Sequence, residues 1–324
     1  VTPKQAAPVV VLYGPTASGK SGLALTLGER LDGVVINADS LQVYAELEIL
    51  TARPGRDALS RAPHRLYGVL PAAAAGSAAW WRAAALAEIR TALAQGKCAV
   101  VTGGTGLYLG ALIDGLSPAP PADAEARAAA TALYERIGGE AFREALAARD
   151  PIAAARLMPG DRQRLIRAME VVEASGIPLS EWQAQPRERG HDLNFSLIGL
   201  TPPRLSLYAA IDARFARMME QGALDEAAEF DRLNLAPALP VNKALGLPSL
   251  RRYLHGEIAL DEAVREACQA TRNYAKRQMT WFRHQLPEPP ENSPNRHTHI
   301  SHARFSEFSE RNMPEIISFI LRGG

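Results

Sequence analysis

The chain of 324 residues has only two cysteines, Cys98 and Cys268, far apart in sequence. They build no disulfide framework, and their scarcity points to a reducing compartment. Long hydrophobic runs are also lacking. No apolar stretch approaches the length of a membrane span, so no membrane partner is expected. Val1 to Pro8 carries no hydrophobic segment of the secretory kind, which makes the cytoplasm the expected location. Charge of one sign is scarce too: the formal net charge is +1, so no global field advertises a polyanion. Any nucleic-acid contact must come from a local patch. No heptad seam or edge signal asks for a second copy, so a monomer is the default expectation. The apolar fraction, 47%, is ordinary for a globular protein and supports a sizeable core. The length suggests one large domain or two.

What is present begins with Gly14-Pro15-Thr16-Ala17-Ser18-Gly19-Lys20-Ser21. It follows the β-branched run Val9 to Tyr13 and precedes an amphipathic run with Leu23, Leu27 and Leu31. Strand, glycine loop and helix in that order fit G-x-x-x-x-G-K-[ST] at every fixed position. Backbone N–H groups then converge on one concavity, and the helix N-terminus adds partial positive charge. Lys20 supplies a full charge, and the Ser21 hydroxyl suits Mg2+. The loop is therefore expected to bind a diphosphate or triphosphate, without saying which.

A second buried-strand pattern, Gly33 to Ala38, ends in Asp39-Ser40-Leu41-Gln42-Val43-Tyr44. A carboxylate at the end of a parallel strand faces the ligand crevice of an open α/β sheet. Asp-Ser is equally good capping chemistry, and position alone leaves both readings of Asp39 open. Residues 48–68 read mostly as loop, and His64 there reads as a structural hydrogen-bonder. Ser77 to Gln95 is helical, with Trp80 and Trp81 as packing residues. Lys97 to Thr102 is a strand followed by Gly103-Gly104-Thr105-Gly106, a second glycine turn. An ordinary P-loop ATPase holds Mg2+ with an Asp at the end of a hydrophobic strand. Here that strand ends in Thr102, which argues against a standard ATPase.

Ser117-Pro118-Ala119-Pro120-Pro121 marks a linker. From Asp123 to about Glu188 the chain is rich in alanine, arginine and glutamate with helical periodicity, which predicts three or four inserted helices. Arg156, Arg162, Arg164 and Arg167 cluster there. A solvated helix face is the favoured reading of such a run, with a phosphate-contacting surface the alternative. Strand character returns at Asn194 to Leu200. Helices are expected from about Leu205 and over Asp225 to Leu233, then a turn-rich piece over Ala236 to Pro248. A long helix from Leu260 to about Gln285 interleaves Arg272, Lys276, Arg277 and Arg283 with Tyr274, Trp281 and Phe282. That mixture suits a folded RNA, and a core-packing helix with solvated cations is the alternative. Leu286 to Pro314 reads as a surface loop. His297, His299 and His302 have no Cys or acid partner at ligand spacing, which disfavours a metal site there. Glu315 to Leu321 is expected to form a final helix docked on the core.

These pieces together resemble the bacterial tRNA dimethylallyltransferases, also called tRNA isopentenyltransferases. The resemblance rests on the ordered set: residues 14–21, Asp39 to Tyr44, Pro63-His64, Gly103-Gly104-Thr105-Gly106-Leu107-Tyr108, Asp161-Arg162-Gln163-Arg164-Leu165, and Arg272-Asn273-Tyr274-Ala275-Lys276-Arg277-Gln278 with Thr280-Trp281. It spans roughly residues 9 to 284. It implies an α/β fold, a P-loop NTPase-like core with a parallel sheet plus an inserted all-helical domain. Residues 1–120 and 193–324 would form the catalytic core, and 121–192 the helical insertion contacting tRNA. The implied reaction moves a dimethylallyl group from dimethylallyl diphosphate to N6 of the adenine beside the anticodon. Mg2+ is the implied cofactor, and the anticodon stem-loop of tRNA the partner.

By the same resemblance, Asp39, Thr105 and Arg214 are catalytic. Gly14, Pro15, Thr16, Ala17, Ser18, Gly19, Lys20 and Ser21 hold the diphosphate, with Ser21 on the metal. Asp39, Ser40, Leu41, Gln42, Thr105, Arg127, Gln163, Arg164, Leu165, Ile166, Arg167, Lys243 and Gly246 meet the tRNA. The chain departs from the family pattern at Leu50, where a glycine is usual, at Arg53 for lysine, at Gly68 for aspartate, and at Leu247-Pro248 after Gly246. A P-loop small-molecule kinase, an adenylate isopentenyltransferase acting on free nucleotide, and a tRNA-binding protein with a degenerate site are the other readings.

Overall fold

The computed structural model describes residues 8–121, 123–187, 189–286, 296–302 and 312–322. The β-branched run at the start forms β1 (Val9–Tyr13), buried along its whole length. Next come α1 (Lys20–Arg30), β2 (Val34–Asn37), α2 (Arg56–Arg61), the two-residue β3 (His64–Arg65), α3 (Ala78–Ala94), β4 (Ala99–Gly103) and α4 (Gly106–Asp114). An all-helical stretch follows: α5 (Ala124–Ala147), α6 (Pro151–Arg156), α7 (Arg162–Ser175) and α8 (Leu179–Ala184). The chain then returns through β5 (Phe195–Leu200), α9 (Arg204–Glu220), α10 (Ala223–Asp231), a 3-10 turn over Pro240–Lys243, α11 (Leu247–Leu254), α12 (Leu260–Gln285), β6 (Arg296–Ser301) and α13 (Asn312–Arg322).

The six strands are parallel, in the order β3-β2-β4-β1-β5-β6. This is the expected P-loop NTPase-like α/β core. Parallel strands need crossover connections, and those cover both sheet faces, so the strands are apolar throughout rather than alternating. Val9, Val11 and Tyr13 face one core with Ile36, Val101 and Leu197. Val10 and Leu12 face the other with Val35, Val100, Ile198, Leu23 and Leu27 of α1, and Met313, Ile316 and Ile320 of α13. The register matters for function. β1 lies between β4 and β5, and β2 lies beside β4, so the two glycine turns and Asp39 leave neighbouring strand ends.

Two expectations change. Leu286 to Pro314 is not all loop: Arg296–Ser301 adds β6 in parallel to β5, because an open sheet edge with unpaired backbone groups accepts another strand. His299 packs against Phe319, and His302 Nδ1 pairs with Thr201 Oγ1 at 2.9 Å. The turn-rich piece gives way at Leu247 to α11, with Pro248 in its first turn, where a missing N–H costs nothing. Among the described residues, no helix is long and apolar enough to cross a membrane.

The chain divides into two compact units, residues 1–113 with 191–324, and 114–190. The second unit is built on Phe142, Leu146, Leu165, Ile166 and Met169. Leu165 and Ile166 are therefore core residues, exposed by 0% and 3%, and do not offer side chains to an RNA. The helical period that places Gln163 and Arg164 outside turns the next two residues inward.

The largest fully buried side chain is Trp81 of α3. It stacks on Tyr108 at 4.5 Å between ring centroids and donates Nε1–H to the Asn37 carbonyl at 2.7 Å. Trp81→Ala is expected to cost about 3–5 kcal/mol in chemical denaturation, from lost packing and an orphaned carbonyl. A loss below about 1 kcal/mol contradicts that role.

Candidate active site

The strand ends of the first unit open into a cavity of about 340 Å³. Residues 14–19 bend sharply before α1, with Gly19 in a left-handed conformation at the helix N-cap. Lys20 and Ser21 begin the helix and line the cavity. The Lys20 ammonium donates to the Pro15 carbonyl at 2.7 Å, folding back over its own loop. Burial pulls its pKa down to about 7 from an ordinary 10.5; Asp39 opposes that shift and Arg214 adds to it. Arg214 reaches in from α9 and donates to Thr16 Oγ1 at 3.1 Å. Burial lowers its pKa too, with Asp39 opposing and Arg217 adding.

Asp39 faces these cations from the end of β2 and lines the same cavity. The two sequence readings of this residue are both realised. Its Oδ1 accepts from the Leu41 amide at 2.9 Å, as a cap does, while the carboxylate borders the cavity. Asn37, fully buried, fixes the turn: its Oδ1 accepts from Asp39 N–H at 2.8 Å and its amide donates to the Asp39 and Leu66 carbonyls. Thr105 Oγ1 accepts from Ser40 N–H at 2.9 Å, which ties the second glycine turn to the Asp39 turn. Gln42 spends its amide on the carbonyls of Thr51 and Ala52, bracing the loop that forms one wall.

α12 closes another side with Thr271, Tyr274 and Gln278, spaced as one helical face. Burial raises the Tyr274 phenol, and the Asp39 charge adds to that. Tyr67 behaves alike, for the same two reasons in the same order. Leu50, Ile211, Phe215, Met218 and Leu245 make an apolar wall. The cavity thus joins a cationic phosphate cradle, one carboxylate and an apolar surface.

The oxygen-rich end suits phosphate and a hard cation. Ser18 Oγ and Thr102 Oγ1 are buried without a hydrogen-bond partner within the described residues. Thr102, Ser21 and Asp39 line the cavity together, an all-oxygen donor set of the kind Mg2+ takes. Thr102 stands where an ATPase would carry its acid.

The IPP transferase family matches residues 42–285 of this sequence. The chain belongs to that family. It is 52% identical over 280 residues to a tRNA dimethylallyltransferase of Rhodospirillum centenum, covering 86% of this chain and 89% of that one. It is 51% identical over 279 residues to that of Paramagnetospirillum magneticum, with 86% and 89% covered. Among solved structures it is similar to the full-length tRNA isopentenylpyrophosphate transferase of Bacillus halodurans, at 30% identity and a TM-score of 0.67, covering 98% and 96% of the two chains.

Other residues that the family resemblance singled out take varied positions. Gly246 is buried with φ +90, and a side chain there would meet the Phe215 ring at 2.7 Å, so it shapes the wall from behind. Lys243 is exposed on the 3-10 turn. In the helical unit Gln163 and Arg164 are exposed, Arg164 with only a 3.9 Å approach to Asp161. Arg127 and Arg167 both pair with Glu170, a fully buried carboxylate on α7, and Arg167 also donates to the Pro120 carbonyl. Arg156 and Arg162 bind Gln183 and Glu135 at their own surface. Arg53 and Gly68 are neighbours: the Arg53 guanidinium lies where a side chain at Gly68 would stand, and donates to the Tyr44 and Ala45 carbonyls.

On α12 the aromatics face inward. Phe282 packs on Tyr13 and Trp281 covers Gly106, while Lys276, Arg277 and Arg283 are exposed. Asn37, Thr102, Tyr67 and Gln278 carry no assignment from the motifs. For Gln278 the signal was its spacing from Thr271 and Tyr274.

The lowered Lys20 pKa has a signed consequence. Between pH 7 and 10.5 the unfolded chain holds a proton that the folded protein does not, so this residue's cost to stability grows as pH falls through that window. An anionic ligand returns the proton. At pH 8, pyrophosphate binding is expected to take up a proton fraction, up to about one, that Lys20→Met loses. Calorimetry in buffers of different ionisation enthalpy reads it; equal uptake by both proteins contradicts it.

Proposed function

We infer that this chain transfers the dimethylallyl group of dimethylallyl diphosphate to N6 of the adenine next to the anticodon in tRNA, releasing diphosphate. The observation that carries this is the pairing, in one cavity, of two buried cations with an apolar wall and a single carboxylate. A nucleotide used for energy needs no apolar wall of that kind, and the strand-end acid of an ATPase is replaced by Thr102.

The diphosphate sits in the glycine loop of residues 14–19, with Lys20 and Arg214 on its oxygens. The apolar wall of Ile211, Phe215 and Met218 takes the branched five-carbon chain. As the allylic C1–O bond breaks, its electron pair stays on the diphosphate. The cations stabilise that growing charge at fixed positions, and so need no reorganisation. The Ser21 hydroxyl would hold Mg2+, which when bound would supply further charge neutralisation on the leaving group.

Adenine N6 is a poor nucleophile because its lone pair is delocalised into the ring. The Asp39 carboxylate orients N6 through a hydrogen bond, and accepts its proton as the C1–N6 bond forms. Thr105 places the acceptor, and the Ser40-Leu41-Gln42 turn borders it. The adenine comes from a loop, which makes extrusion inexpensive. In the helical unit, Gln163 and Arg164 are free to meet RNA phosphates. Arg127 and Arg167 join them with geometry set by Glu170. Lys243 adds a contact from the core.

The reading is tested by supplying labelled dimethylallyl diphosphate and Mg2+ with either unmodified tRNA or AMP. Label is expected in tRNA, at an adenosine beside the anticodon. Transfer to AMP alone, or ATP consumption without prenyl transfer, contradicts it. Asp39→Asn keeps the oxygen that caps Leu41 and loses the base. It is expected to lower turnover about 10²- to 10⁴-fold with tRNA affinity nearly unchanged. A parallel loss of affinity would demote Asp39 to an RNA-positioning group.

A further inference from the structure

We propose that Gln278 is a positioning residue that locks the leaving-group loop to the acceptor-side turn and so sets the distance over which the prenyl group moves. This rests on the prenyl-transfer reading of the cavity. Gln278 sits on α12 and is 5% exposed. Its Oε1 accepts from the Thr16 amide of the first glycine loop at 2.8 Å. Its Nε2 donates to the Gly104 carbonyl of the second at 2.9 Å. One side-chain amide therefore bridges two loops that leave neighbouring strands, β1 and β4.

Both ends of the bridge continue to reacting groups. Thr16 holds Arg214 through its hydroxyl, at 3.1 Å. Gly104 precedes Thr105, whose hydroxyl holds the Ser40 amide next to Asp39. The route from the leaving-group cation to the acceptor carboxylate thus runs Arg214, Thr16, Gln278, Gly104, Thr105, Ser40, Asp39.

The chemistry demands this residue type. The position needs an acceptor for a backbone N–H and a donor for a backbone carbonyl, about four bonds from the helix. Glutamine offers both. Ionised glutamate keeps the acceptor and loses the donor; leucine loses both. The fit is close: a Cβ on Gly104 would lie 2.1 Å from Nε2, which accounts for glycine there. The Thr16 amide is spent on the bridge and is not available to a phosphate oxygen, so the contact is one of geometry rather than of anion binding.

Gln278→Glu and Gln278→Leu test the bridge by single-turnover prenyl transfer to tRNA from mildly acidic to mildly alkaline pH. Donor and tRNA affinities and melting temperature are measured beside it. Gln278→Leu is expected to lose about 100-fold in the chemical step, with both affinities within about threefold. Gln278→Glu should match that loss at alkaline pH and regain rate as pH falls, because a protonated carboxyl donates to Gly104 and accepts from Thr16 as the amide does. Lys20, Asp39, Arg214 and Tyr274 face the same cavity in every variant, so rates are taken as ratios to the unmodified protein. Acid recovery in the Glu variant but not the Leu variant is the signature; it remains decisive if the Leu variant fails to fold. Rates within threefold of the parent, or losses confined to affinity, or identical pH profiles for the two variants overturn the proposal. Absence of transfer by the parent protein would instead overturn the functional reading.

Discussion

Two cations buried against one carboxylate govern this site. Lys20 and Arg214 lie within reach of each other's charge, and burial depresses the proton affinity of both. Their hydrogen bonds go to a carbonyl and a hydroxyl, not to an acid. An uncompensated buried charge is costly, and an anion in the loop is the natural compensation. In the proposed reaction the same excess positive charge that draws a diphosphate in also stabilises it as it leaves. Among the described residues Asp39 supplies the only carboxylate on the cavity lining.

The sheet makes that arrangement stiff. Neighbouring parallel strands deliver the two glycine turns and the Asp39 turn to one end of the sheet, and each is cross-tied. Asn37 holds Asp39 and is itself held by Trp81; Thr105 holds Ser40. Such ties keep donors and acceptors in place before substrate arrives, which is where most of an electrostatic rate advantage originates. In the helical unit the same logic recurs at a surface. Glu170, fully buried, orients Arg127 and Arg167, and in the proposed RNA contact this lowers the entropy two flexible cations lose on meeting a phosphate.

Much of this is legible in the residues themselves. The strand–loop–helix around Gly14 to Ser21, the glycine turn after Thr102 and a run of three or four helices after the proline-rich linker follow from local pattern. Asp39 is legible only as an ambiguity, since capping and lining a cavity use the same side chain at the same turn. Leu165 and Ile166 show the limit of carrying a contiguous motif across: helical periodicity buries them while Gln163 and Arg164 stay outside. β6 is hidden because a lone edge strand rich in histidine has no alternation to betray it; only the partner β5 makes it a strand. The tie made by Gln278 is invisible locally, because its partners, Thr16 and Gly104, lie more than half the chain away.

The central claim is that the glycine loop holds a leaving group and not an energy source. The most direct measurement is the amount of inorganic pyrophosphate released per adenosine prenylated, in reactions with no ATP and with ATP added. Equimolar pyrophosphate and prenylated adenosine, unchanged or competitively reduced by ATP, is the expected result. A requirement for ATP, or orthophosphate released from ATP in step with product, contradicts it.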